Sequence, residues 1–180
     1  YERGGVDAPV LATVEQYDPE RGWVVSAPML QARRSFCCCV LDNCVIIAGG
    51  YDANVLAAVD KYDIDTGAWT RLAPLQKARS NCCMCEAGGF LVAIGGFSSD
   101  REGLQSVEKY DSTLNTWSFV AQMPAARYAS AACVLDGCIY AIGGTNDNKA
   151  VDTMEKYDPA TDTWTTLAPM PTERFGAAAC

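Results

Sequence analysis

Four times along this chain the same string of landmarks recurs, and that recurrence limits the folds open to it. The cleanest copy lies in residues 142–171: Gly143-Gly144, a polar loop, Met154-Glu155-Lys156-Tyr157-Asp158 and Trp164, with Arg174 just beyond. Aligned by landmark, the glycine pairs begin at Gly4, Gly49, Gly95 and Gly143, spaced 45, 46 and 48. The tyrosines are Tyr17, Tyr62, Tyr110 and Tyr157; the tryptophans are Trp23, Trp69, Trp117 and Trp164. Arg33, Arg79, Arg127 and Arg174 complete the copies. A self-similar period of this length is the signature of a propeller or a solenoid. Helical repeats do not fit, because no segment carries a sustained apolar stripe of 3.6-residue period.

Each copy instead holds four short strand-like runs separated by turn residues. In the last copy these are 129–135, 138–142, 153–158 and 163–167, broken by Asp136-Gly137, Gly143-Gly144 and Asp158-Pro159. The runs are apolar without clean alternation, as in sheets buried on both faces. Blades packed between blades have that property.

The double glycine, the string V-E-x-Y-D and a tryptophan about seven residues later resemble the kelch repeat. The copies read Val14-Glu15-Gln16-Tyr17-Asp18, Val59-Asp60-Lys61-Tyr62-Asp63, Val107-Glu108-Lys109-Tyr110-Asp111 and Met154-Glu155-Lys156-Tyr157-Asp158. WD-type propellers do not fit, since neither Trp-Asp nor Gly-His occurs. The resemblance implies an all-β kelch β-propeller in which the run after the arginine is innermost and the tryptophan run outermost. The kelch-repeat region then spans residues 1–180: a partial blade over 1–25, blades over 33–72, 79–119 and 127–167, and an inner strand over 174–180. Four repeats make an arc of a larger propeller, six-bladed in the kelch rings it resembles. The alternative is a closed four-bladed ring in which 175–180 completes the blade begun at Gly4.

Glycines permit positive φ or close backbone approach where strands end. Tyr and Trp supply large apolar area and keep one polar atom for a hydrogen bond. Both are read as packing between blades rather than as ligand contacts.

Ten cysteines demand a choice of class. They occupy repeat-register positions inside apolar runs, such as Cys37-Cys38-Cys39, Cys82-Cys83 and Cys85. Neighbours on a strand point to opposite faces, so the triplet cannot converge on one partner. The reading is small buried hydrophobes in a reducing, cytoplasmic setting, with a Cys-only zinc or redox site as the alternative. The absence of histidine excludes mixed Cys/His zinc sites.

Binding is sought where the repeat varies. Arginine to the next glycine pair is 16 residues in all three complete copies, whereas glycine pair to tyrosine runs 13, 13, 15 and 14. Variation thus sits in the loop between second and third strands, and variable loops commonly form the binding face. That loop leaves the blade on the side where the arginine-bearing link arrives. The candidate partner-binding residues are Arg33, Arg79, Arg127 and Arg174 together with Tyr51, Asn54, Phe97, Ser98, Tyr128, Asn146 and Asp147. In kelch-like adaptors of ubiquitin ligases, arginines at the matching position contact acidic peptides, which is what the resemblance implies here. The alternative is that each arginine satisfies blade-junction carbonyls or the acidic residue of the V-E-x-Y-D run.

A net charge of −8, from 14 basic and 22 acidic residues, disfavours nucleic acid and anionic membranes as partners. No apolar run approaches the roughly 18–20 residues of a spanning helix. Without histidine the copper chemistry of galactose-oxidase-like kelch enzymes is removed, and no G-x-S-x-G elbow or phosphate-cradling glycine loop occurs. The expectation is a non-enzymatic module with no catalytic residues, metal or cofactor, binding a protein or peptide. Substrate recognition for a ubiquitin ligase is one form of that; a scaffold propeller within a cytoskeletal or multi-subunit assembly is the other.

Overall fold

A computed structural model describes residues 9–179. The chain opens with a two-stranded sheet, β1 (Val14–Asp18) and β2 (Gly22–Ser26). Three four-stranded antiparallel sheets follow: β3–β6 (Cys37–Leu41, Cys44–Ala48, Val59–Asp63, Ala68–Leu72), β7–β10 (Cys83–Ala87, Phe90–Ile94, Val107–Asp111, Thr116–Val120) and a last one. The last contains β11 (Ala131–Leu135), β12 (Cys138–Ile142), β15 (Met154–Asp158) and β16 (Thr163–Thr166). Between β12 and β15 a two-residue ladder, β13 (Thr145–Asn146) with β14 (Lys149–Ala150), replaces an irregular loop. It turns on Asp147 and Asn148, both left-handed at φ 46° and 61°, a pair of values that suits a tight hairpin.

Within each blade the strands run up and down in sequence order. Neighbouring blades approach through their first strands, β3 to β7 and β7 to β11, so these are the inner strands. The middle four-stranded blade, packed between two neighbours, buries both faces. In β9 Val107, Glu108 and Tyr110 are all buried although they cannot share a side. One apolar cluster, with Ile46, Val59, Leu75, Leu91 and Trp117, fills the junction of the first two four-stranded blades. Another, with Val92, Ile94, Val107, Met123 and Ile139, fills the next.

The repeated tyrosine and tryptophan account for how blades join at their outer edge. Cross-strand register sets Tyr62 opposite Trp69, Tyr110 opposite Trp117 and Tyr157 opposite Trp164, with ring centroids 5.0, 5.0 and 5.1 Å apart. Each indole N–H then donates to a carbonyl preceding its own blade: Trp69 to Ala27 at 2.9 Å, Trp117 to Ala73 at 3.1 Å and Trp164 to Ala121 at 2.9 Å. The residue two before the last two tryptophans adds a second tie. Asn115 Oδ1 accepts from both Tyr110 Oη and the Ala73 N–H, and Asp162 Oδ1 does the same for Tyr157 and Ala121. Hydrogen bonding to Asp162 and burial together push the Tyr157 hydroxyl well above its ordinary range, burial being the larger cause.

The closed four-bladed alternative would pair residues 175–180 with a short strand before Gly4. Described residues 175–179 form no strand and pair with neither β1 nor β2, so the described chain is an open arc of blades. Gly4 and Cys180, which that alternative joined, lie outside the described residues.

Trp117 is 4% exposed and carries both packing and the indole donor. Trp117→Ala is expected to lower stability by about 3–5 kcal/mol, measured by urea denaturation. Trp117→Phe keeps most of the apolar contact and loses the hydrogen bond, so it should fall by less.

Candidate binding face

The arginines turn out to be the anchors of this face. Arg33, Arg79 and Arg127 are 3%, 0% and 1% exposed. Arg33 Nη1 donates to the carbonyls of Gly49 (3.1 Å) and Ala58 (2.9 Å), the two ends of the loop between β4 and β5. Arg79 does the same to Gly95 and Ser106 at 2.6 and 3.0 Å, and Arg127 to Gly143 and Thr153 at 3.0 and 3.3 Å. The other Nη of each meets the acidic residue of its own blade, Asp60 at 2.5 Å, Glu108 at 2.5 Å and Glu155 at 3.0 Å. The three guanidiniums therefore lie inside the blades with their terminal nitrogens committed to the protein, in the manner of the junction alternative rather than of ligand donors. Arg174, the fourth, is exposed.

Main-chain groups extend the same device between blades. The Gly50 N–H donates to the Arg79 carbonyl at 2.8 Å, Gly96 to Arg127 at 2.9 Å and Gly144 to Arg174 at 2.7 Å. A Cβ on Gly49, Gly95 or Gly143 would sit 2.2, 2.5 or 2.4 Å from that same carbonyl oxygen, and all three have φ near +60°. Only glycine admits the approach. Two residues beyond each landmark arginine, a further chain of backbone bonds links the blades. Asn81 N donates to Ser35 O, Ala129 N to Asn81 O and Gly176 N to Ala129 O, each at 2.8 Å. Ser35, Asn81, Ala129 and Gly176 are all left-handed, at φ 55°, 50°, 50° and 61°. Their signal in the sequence was a small or polar residue two positions after every landmark arginine.

With the arginines tied down, their successors and the variable loops make the surface. Arg34 bridges to Tyr51, Ser80 to Phe97 and Tyr128 to Thr145, so corresponding positions in three blades hold the loop stems. A cleft of about 820 Å³ between the first two four-stranded blades is lined by Arg34, Tyr51, Asn54, Ser80, Asn81, Phe97 and Arg101 among others. Across Phe97 a second cleft of about 260 Å³ is lined by Arg101, Tyr128, Asn146, Asp147 and Asn148. The Arg34 guanidinium lies over the Tyr51 ring at 5.3 Å, Phe97 meets Tyr128 edge to face at 5.0 Å, and Tyr128 Oη donates to Asn148 Oδ1 at 2.9 Å. The structure thus brings Tyr51, Asn54, Phe97, Tyr128, Asn146 and Asp147 onto one face. Ser98 is 1% exposed, and its hydroxyl accepts from the Asp100 and Glu102 N–H groups, so it shapes the loop more than it meets solvent. Arg34 and Arg101 are the cations that remain exposed in the larger cleft. The chain position carrying Arg34 differs in every repeat, which is why a landmark search passes over it.

Charge at the junctions is handled unequally. Glu108 also accepts from the N–H groups of Gln76 (2.6 Å) and Lys77 (3.1 Å) in the preceding link. At the position matching Gln76, three before the arginine, the next link has Pro124, which has no N–H to give. Glu155 Oε2 is buried with only the Arg127 ion pair at 3.0 Å to meet it, and burial raises the Glu155 pKa against the opposing pull of Arg127. Burial likewise lowers the Arg127 pKa, partly offset by Glu155.

The family is decided by a match to the KLHDC2/KLHL20/DRC7 Kelch-repeats domain over residues 19–180. The chain belongs to the kelch-repeat family. No curated protein matches the sequence. Among solved structures, that of YjhT superposes with a TM-score of 0.78 at 14% identity, covering 94% of this chain and 68% of that one, a likeness of fold. Kelch repeats, four-stranded blades and the open arc together make this chain a set of propeller blades. Kelch domains generally mediate protein interactions, which places this one among interaction modules.

Two outcomes follow from the geometry of this kelch chain. Ala129 sits in a conformation that costs an L-residue roughly 1–2 kcal/mol, while Gly176 occupies the equivalent place without that cost. Gly176→Ala should destabilise by about 1 kcal/mol, and Ala129→Gly should be neutral or stabilising by up to about 1 kcal/mol, read from denaturant midpoints. The second concerns pH. Because the Glu155 pKa is raised on folding from its ordinary 4.5, the folded chain keeps a proton there that the unfolded chain has released. Its contribution to stability therefore falls as pH rises above 4.5 and through the raised value. Denaturation between pH 4.5 and neutrality should show a shallower loss with rising pH in Glu155→Gln, and in Pro124→Gln, which restores an N–H donor.

Proposed function

We propose that this face binds an extended acidic segment of a protein partner and that the chain acts by binding, without catalysis. What supports the reading is the composition of the larger cleft. Its lining includes Arg34 and Arg101 and no carboxylate, in a chain whose net charge is −8. Exposed guanidiniums offer forked donors matched to carboxylate or phosphate. Tyr51, Phe97 and Tyr128 give flat apolar contact between them, and Asn54 and Asn81 give amide groups for main-chain recognition. Beyond Phe97 the lining gains Glu102 and Asp147, so the face changes sign along its length and would fix the direction in which a peptide lies.

Two roles suit such a partner. In a ubiquitin-ligase adaptor, one of the two readings of the sequence, the segment belongs to a substrate awaiting modification. In a scaffold it belongs to a standing assembly component. The cleft favours the first, because a short peptide in a polar groove suits a transient contact better than a large apolar interface does.

The test uses a library of fluorescent acidic and basic peptides titrated against the chain by anisotropy. Acidic peptides should bind, and Arg34→Glu or Arg101→Glu should weaken them tenfold or more, about 1.4 kcal/mol, with Tyr128→Ala comparable. Raised salt should weaken the wild type as well. Equal binding of acidic and basic peptides, unaltered by either arginine substitution in a folded protein, would remove this reading.

A further inference from the structure

Cys37, at the start of β3, and Cys82, just before β7, come from adjacent inner strands separated by 45 residues of chain. Their sulfurs are 3.0 Å apart, inside ordinary van der Waals contact, and both residues are buried, at 5% and 9% exposure. Both are free thiols. Cys37 Sγ also lies 3.4 Å from the Ala48 carbonyl, which holds it in place. The repeat supplies a comparison. At the following junction the thiol of Cys83, four after its arginine as Cys37 is, meets Ser130 O at 2.9 Å and Ser130 Oγ at 3.4 Å. There a hydroxyl stands where Cys82 stands in the first junction, so the geometry is shared and, among the described residues, only the first junction sets two sulfurs in contact at this position.

We propose that Cys37 and Cys82 form an oxidation site that peroxide converts to a disulfide between two blades. The dithiol has an asymmetry suited to the reaction. The hydrogen bond shared between the two thiols and the nearby Arg79 charge lower the Cys82 pKa against burial, while Cys37 is raised by that same bond and by burial. The Cys82 thiolate is therefore the attacking group. It attacks one oxygen of hydrogen peroxide, breaking the O–O bond to give a sulfenic acid and hydroxide, which takes up the proton Cys82 released and leaves as water; the Cys37 thiol then attacks that sulfur, forms the S–S bond and releases a second water. Two thiols are oxidised by two electrons, one peroxide is reduced, and both thiol protons leave in water. The other cysteines lack this arrangement. Burial raises Cys83 to about 11 and Cys85 to about 12, which keeps both protonated at neutral pH.

The product would be a covalent clamp behind the cleft, since Ser35, Ser80 and Asn81 in its lining are within two residues of one or other sulfur-bearing residue. It would also close a long loop of chain, which favours the folded state.

The experiment treats the wild-type chain with hydrogen peroxide, alkylates remaining thiols and digests with trypsin. The expected product is a cross-link between tryptic peptides 35–61 and 80–101 with the bond placed on Cys37 and Cys82 by fragmentation. It should appear in monomeric protein, reverse with dithiothreitol and raise Tm by on the order of 5 °C. Cys82→Ser should lose the cross-link and the Tm rise, and Cys38→Ser should keep both. Since mapping the wild type needs no variant, misfolding of Cys82→Ser leaves the test intact. A bond on any other pair, overoxidation of Cys82 without a cross-link, or unaltered thiols would each overturn the proposal.

Discussion

A buried guanidinium reaching across its own blade is the interaction on which the rest of this structure depends. Each of Arg33, Arg79 and Arg127 ties the end of the second strand to the start of the third and neutralises an acidic side chain in the third. The main-chain carbonyl of Arg79 or Arg127 then accepts from the second glycine of the blade before. Side chain and backbone of one residue thus link blade to blade in a relay. Desolvating an arginine is costly, and pairing alone seldom recovers it; here each Nη1 gains two carbonyl partners as well.

The relay explains why the face above it is free to vary. Because the stem of each loop is fastened at Gly49 and Ala58, Gly95 and Ser106, or Gly143 and Thr153, the residues between can change in number and kind without moving the blade. One loop folds around Ser98, another becomes a small hairpin at Asp147-Asn148, and a third turns on Asp52, whose carboxylate accepts from Ala53 and Asn54. These hydrogen bonds, with Asn54 the largest cause, hold the Asp52 pKa below its ordinary value. Binding chemistry is carried on rigid stems by residues that the fold does not constrain.

The repeats are equivalent in backbone and unequal in chemistry. Glu108 is fully bonded, Glu155 loses a donor to Pro124, and Asp60, a carbon shorter, takes a second cation in Arg71. The inner junctions differ in the same way, with Cys37 against Cys82 at one and Cys83 against Ser130 at the next. Differences of this sort let a repeat protein hold one architecture while giving each junction its own response to pH or oxidant.

The four-fold landmarks, read as residues, determined the all-β class and the loops where length varies, and the resemblance they carry implied the strand order within a blade. Periodicity carries that information because each landmark meets a local demand: glycine for positive φ, tyrosine and tryptophan for area between sheets. The constant distance of 16 from arginine to glycine was also visible, but its meaning was not. Whether a repeated cation points outward to a ligand or inward to carbonyls depends on how far the neighbouring blade lets water in, and no spacing states that. Tertiary packing buried Arg33, Arg79 and Arg127 and left Arg34 and Arg101 exposed. It also set Cys37 against Cys82, because contact between inner strands of adjacent blades arises only when the blades are stacked about a common axis.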